Sequence, residues 1–153
     1  MSMFKVFDIS GSAVSAQSQR LNVVASNLAN VDTVAGPDGK AYQARQVVFQ
    51  TTLMSASGNV AAAADPYGPG VDGVTASAGV RVSNITESDV PGRKVRDPSH
   101  PSADAEGYVT YSNVNAVEEM VNMISASRSY QNNIEVMNTA KNLLLKTLQM
   151  GQS

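Results

Sequence analysis

The final third of the chain, Asn113 to Met150, contains no proline, and its first glycine is Gly151, just past the end. Within it, apolar residues return at alternating steps of three and four. Of the nine positions 120, 123, 127, 130, 134, 137, 141, 144 and 148, seven are apolar, with Ser127 and Lys141 the exceptions. That stripe of Met120, Met123, Tyr130, Ile134, Met137, Leu144 and Leu148 is the pattern that seats one helix against another. Asn115 supplies a cap, and Glu118 stands three residues on, as in a capping box. Glu118 and Glu119 suit the positive end of the helix dipole, and Lys146 suits the negative end. A helix over Ala116 to Met150 is about 50 Å long at roughly 1.5 Å per residue, which exceeds the width of any core that 153 residues can build.

The opening stretch, Met3 to Asn30, reads as a second, weaker helix. Phe7, Val14, Leu21 and Leu28 fall at strict seven-residue intervals, with Phe4, Val24 and Ala25 beside them, while Gly11 and several serines lower the propensity. All six prolines lie between 37 and 101, and nine of the eleven glycines between 36 and 107. The chain is therefore tripartite: a helix over 1–32, a β-rich middle over 33–112, and a second helix over 113–153. In the middle, Gly36-Pro37-Asp38-Gly39 is a turn, and Tyr42 to Leu53 one or two strands. Gly79 to Thr86, Lys94 to Arg96 and Tyr108 to Tyr111 each read as a strand. The Ala/Gly/Ser/Pro stretch at about 55–78 has little to bury and reads as a flexible insertion. The expected fold class is α+β, with the terminal helices paired as a coiled coil beside small antiparallel hairpins.

Chemistry is hard to place on this chain. Zero cysteine excludes disulfides and thiol catalysis, and the single histidine, His100, lies in a polar turn between Pro98 and Pro101. No HExxH, GxGxxG or Walker loop is present. A net charge of −2, spread along the chain, provides no face to track phosphates. No run approaches the roughly 20 apolar residues of a membrane helix, and the first ten residues lack the apolar centre of a secretory signal. The reading is of a non-enzymatic protein without cofactor, metal, nucleic acid or small-molecule substrate. Two features point instead to association. Ile124, Val136, Leu143 and Leu145 spill outside the main stripe, which a lone helix pair would leave wet. Asparagines recur in both helices at up to about 0.7 kcal/mol each relative to alanine. They read either as solvent-exposed or as register-setting amides between helices or subunits.

Long stretches resemble the bacterial flagellar rod and hook protein family. Ala25 to Thr33 (ASNLANVDT) is similar to the family's N-terminal signature, and Ala126 to Gly151 (ASRSYQNNIEVMNTAKNLLLKTLQMG) to its C-terminal one. Asp97 to Asn115 resembles a block characteristic of the proximal part of the rod. The family often carries proline where this chain has Ser112, which implies a looser turn here. The resemblance implies a structural subunit whose terminal helices pack with other rod proteins, the basal-body membrane ring and copies of itself. They form a tube that transmits torque around an export channel. It also implies a place in the periplasmic part of the basal body, reached through the flagellar type III apparatus without a cleaved signal. The expected packing residues are Phe7, Val14, Leu21, Leu28, Met120, Ile134, Met137, Leu144 and Leu148. The expected polar contacts between subunits are Asn27, Asn30, Arg128 and Tyr130. A distal rod or hook subunit is the alternative within the family, and a small ligand-binding or enzymatic module the remote one.

Overall fold

The computed structural model describes residues 3–36, 39–54 and 77–151. Its elements in order are α1 (Met3–Ala29), β1 (Arg45–Met54), β2 (Ser77–Glu87), β3 (Lys94–Arg96), β4 (Tyr108–Thr110) and α2 (Ala116–Met150). The expected α+β class is the observed one: two long terminal helices packed together, with small antiparallel strand pairs between them in the chain. Most of the expected insertion at about 55–78 lies outside the described residues.

α2 begins where its cap chemistry places it. Asn115 is extended (φ −96°, ψ 108°), and its Oδ1 accepts from the Val117 N–H at 3.1 Å, which satisfies one of the orphan donors of the first turn. Among the described residues the Glu118 carboxylate returns no bond to the Asn115 N–H, so the box is one-sided. The two helices run antiparallel. The end of α1 adjoins the approach to α2 through the Ser112 N–H on the Thr33 carbonyl (3.1 Å) and the Ser112 hydroxyl on the Val31 carbonyl (2.9 Å). Further along, the Arg20 guanidinium donates to Asn122 Oδ1 at 3.2 Å. The expectation that Ser112 loosens this turn is corrected by those two bonds. A serine keeps the N–H that a proline would lack, and Ser112 is buried.

The line of contact between the helices differs from the expected one. The buried residues of α2 are Glu119, Ala126 and Ala140, with Met123, Tyr130, Asn133, Met137 and Leu144 half-buried beside them. The every-seventh set 123, 130, 137 and 144 was in the expected stripe. Its other half is 119, 126, 133 and 140 rather than 120, 127, 134, 141 and 148. Met120 is 51% exposed and Leu148 59% exposed, and Ile134 is half-buried on the flank. The reason is steric: alanine at 126 and 140 lets the helix axes approach closely, whereas a methionine or leucine there would hold them apart.

α1 has partners on two sides, α2 on one and the β1–β2 ribbon on the other. Its buried residues, Ser10, Ala16, Val24 and Asn27, are small or polar apart from the valine. Phe7, Val14, Leu21 and Leu28 are each half-buried. The ribbon is held partly through Ser12, whose hydroxyl donates to the Ile9 carbonyl (2.7 Å) and accepts from the Val80 N–H (3.1 Å). β1 and β2 pair antiparallel from Arg45↔Glu87 to Met54↔Ser77, with a register slip between Val48 and Phe49 that marks a bulge and bends the ribbon.

β3 and β4 form a separate two-stranded sheet, Lys94↔Thr110 to Arg96↔Tyr108, closed onto the body by Val109, which is buried. A bridge between Val34 and Tyr111, and the Ala35 N–H on the Thr110 carbonyl (2.8 Å), lay the segment after α1 along β4. Gly92 is required for this: a Cβ there would lie 2.1 Å from the Tyr111 carbonyl oxygen.

Candidate functional site

Two asparagines hold the root of the β1–β2 ribbon against the helices. Asn27 comes from the last turns of α1 and has no exposed surface. Its Nδ2 donates to the Arg45 carbonyl at 2.8 Å, and its Oδ1 accepts from the Arg45 N–H at 2.9 Å and from the Tyr42 hydroxyl at 3.0 Å. The amide thus copies a strand neighbour, giving the first residue of β1 both backbone bonds it would exchange in a ladder. Asn113 holds the adjoining residues. It accepts from the Ala44 N–H at 2.6 Å and donates to the carbonyls of Val90 (2.7 Å) and Ser88 (3.3 Å). Between them the two amides bind residues on both strands' ends and couple the ribbon to α1 and to the lead-in of α2. Arg45 adds an exposed pair with Glu87 at 3.0 Å and lies 5.8 Å over the Tyr42 ring. Exposed pairs of that kind contribute little stability, so the amides carry the junction.

The second feature is the outward surface of the helices. Phe4 on α1, and Val117, Val121, Ile124, Leu143 and Leu148 on α2, are all more than half exposed. The fully buried positions of the two helices, by contrast, are alanine, serine, asparagine, one valine and one glutamate. The helix pair therefore leaves large apolar side chains open at the ends of α2 that a free-standing two-helix protein would cover. Glu119 sharpens the contrast: it is 8% exposed, and its Oε2 is buried without a hydrogen-bond partner among the described residues.

The residues expected to act between subunits fall into different places. Asn27 is consumed by its own chain, and Asn30 donates to the Ser26 carbonyl one turn back (2.8 Å). Arg128 is exposed and Tyr130 is half-buried. Sequence reading missed Asn113 and Tyr42, which carry no periodic signal. His100 is a turn element, its Nδ1 accepting from the Ser102 N–H at 3.1 Å. Among the described residues no three His, Cys, Asp or Glu side chains gather as a metal site, and no helix is long and apolar enough to cross a membrane.

Comparison with known proteins accounts for both ends of the chain. A family model described as "Flagella basal body rod protein" matches residues 7–37. Another, described as "Flagellar basal body rod FlgEFG protein C-terminal", matches residues 105–150. The N-terminal match takes in most of α1 with Asn27, and the C-terminal one takes in β4, Asn113 and all of α2. Among curated relatives, the flagellar basal-body rod protein FlgC of Yersinia enterocolitica is 55% identical, and that of Escherichia coli O157:H7 52%. The FlgC of Bacillus subtilis strain 168 is 37% identical. In each case the alignment covers 99% of this chain and 100% of the relative. At that identity over the whole length, the chain belongs to the flagellar basal-body rod protein family, and its likeness there is to the FlgC members.

Proposed function

We propose that this subunit assembles through α1 and α2 into the rod's inner tube, which surrounds an export channel and carries torque. Its partners there are other rod proteins, the basal-body membrane ring and copies of itself. The place is the periplasmic section of the basal body, reached by type III export. The work is mechanical rather than enzymatic. The observation that carries the reading is the large apolar surface left open at both ends of α2. Val117, Met120, Val121 and Ile124 are exposed near its start and Leu143, Leu145 and Leu148 near its end, while the most deeply buried positions of α2 are Glu119, Ala126 and Ala140. Such a pair gains more from neighbours than from itself, because apolar area is the main source of association free energy.

The middle of the chain has a different task. The ribbon is tied at its root by Asn27 and Asn113 and exposes Val48, Leu53 and Ile85. It serves as the arm that contacts adjacent rod proteins. The assembly residues are proposed to include Leu144 and Leu148 on α2 and Leu21 and Leu28 on α1.

The test is a pair of substitutions in a motile strain. Leu144→Asp strikes the half-buried line and Leu143→Asp the exposed face beside it. Both variants are expected to be synthesised at normal levels and to abolish swimming, with no rods in basal-body preparations. Leu143→Asp should leave the circular dichroism of the purified monomer unchanged, which separates assembly from folding. Wild-type swimming with both variants overturns the proposal.

A further inference from the structure

All the sulfur of this chain is in seven methionines, with no cysteine. Four of the methionines lie in α2, and the fold divides them. Met123 and Met137 are half-buried on the line that meets α1. Met120 and Met150 are more than half exposed. Met120 stands one turn from Met123 but on the outer side of the helix. Its neighbours three residues back and four residues on are Val117 and Ile124, both exposed. Among the described residues, its thioether is thus the one exposed sulfur set within the open apolar surface at the start of α2.

Peroxide transfers one oxygen atom to an accessible thioether. The sulfur lone pair attacks the O–O bond, the S–O bond forms, and the rest of the peroxide leaves as water. Sulfur loses two electrons and the peroxide gains them. The sulfoxide is polar and chiral where the thioether was soft and apolar. On Met123 or Met137 that change would disturb the helix pair. On Met120 it leaves the pair intact and alters only the outer face. No thiol in the chain competes for the oxidant.

We infer that Met120 is a redox-sensitive modification site, whose sulfoxidation by peroxide keeps a folded subunit out of the assembly. The inference rests on the assembly reading above and adds a means of regulation to it. Burying a methionine side chain contributes about 1.5–3 kcal/mol. A sulfoxide in its place brings an acceptor that an apolar contact leaves unpaired. The modification acts on the subunit before incorporation, because assembly covers the same surface.

Purified full-length chain would be treated with hydrogen peroxide and each methionine followed by peptide mass spectrometry. Met120 and Met150 should be oxidised first and Met123 and Met137 more slowly, with helical circular dichroism unchanged once Met120 is converted. Equal rates at all four overturn the inference. In isolated basal bodies the same treatment should spare Met120, and oxidation there at the free-chain rate also overturns it. In cells, the parent, Met120→Leu and Met150→Leu would be synthesised during sublethal peroxide exposure, each measured against its own untreated culture. Incorporation of the parent into basal bodies should fall about tenfold, the ratio that corresponds to about 1.4 kcal/mol of lost contact. Met150→Leu should lose as much, whereas Met120→Leu should hold its untreated level. Equal losses in the parent and Met120→Leu overturn the inference, as does Met120 sulfoxide in incorporated chains at the proportion found in free ones. Each of these failures leaves the rod assignment standing, provided that untreated cells carry the chain in their basal bodies. Its absence from them would instead defeat the rod assignment.

Discussion

Asn27→Ala should be among the most damaging single changes to the folded monomer that leave the outer helix faces untouched. The side chain has no solvent exposure and makes three hydrogen bonds of 2.8, 2.9 and 3.0 Å, two of them to the backbone of Arg45. Truncation orphans the Arg45 N–H and carbonyl. The Tyr42 hydroxyl retains only its longer contact with Ser26 Oγ at 3.3 Å. A buried polar group left unpaired costs about 1–3 kcal/mol. Both backbone groups lie near the surface, which favours the lower end of that range, so the loss should be about 2–4 kcal/mol. Against a total of about 5–15 kcal/mol for a domain of ordinary stability, that is a large share, and it corresponds to a melting temperature lowered by roughly 5–10 °C. Thermal unfolding followed by far-ultraviolet circular dichroism measures the loss, and amide hydrogen exchange at Arg45 locates it. Asn30→Ala is the control. It removes one bond to the preceding turn and should cost under about 1 kcal/mol. The reasoning is refuted if Asn27→Ala stays within about 0.5 kcal/mol of the parent, as an ordinary surface change would, and Arg45 exchanges at its original rate.

Two further substitutions probe other parts of the fold. Gly92→Ala would set a Cβ 2.1 Å from the Tyr111 carbonyl oxygen and 3.0 Å from Thr110 Cγ2. The strands must shift, so a cost of about 1–3 kcal/mol is expected, with faster exchange of the Tyr111 N–H that now donates to the Arg93 carbonyl. Unchanged exchange there would contradict the close approach. Glu119→Leu removes a buried carboxylate oxygen that has no partner among the described residues, so the monomer should gain about 1 kcal/mol in urea unfolding. A fall in the midpoint would show that the carboxylate is supported in a way its geometry does not reveal.

Much of the architecture was legible because it depends on local properties. Proline-free periodic stretches, the Asn115 cap and the terminal Gly151 mark α2 to the residue, since capping and propensity act within a turn. β-branched residues between glycine and proline clusters mark the four strands, because extended backbone suits those side chains. The family signatures at both ends were also readable as written. What local pattern cannot show is which neighbour a face will meet. Periodicity identifies the side of a helix that seeks burial. In α2 the strongest stripe, running through Met120 and Leu148, is turned away from α1 at those positions. A pair of helices can approach closely only through small side chains, so Ala126 and Ala140 line the actual contact.

The roles of the asparagines were decided at the tertiary level for a related reason. In sequence, Asn27 and Asn122 look alike, each a poor helix former within an otherwise good helix. Only the fold brings the Arg45 backbone to one and the Arg20 guanidinium to the other. Asn113 carries no signal at all until the ends of β1 and β2 converge on it. Helix length, caps and strand content thus follow from interactions among residues a few positions apart, which the sequence by itself determines. The phase of the helix contact and the anchoring of the ribbon follow from residues 69 and 102 positions apart, whose meeting exists only once the chain has closed on itself.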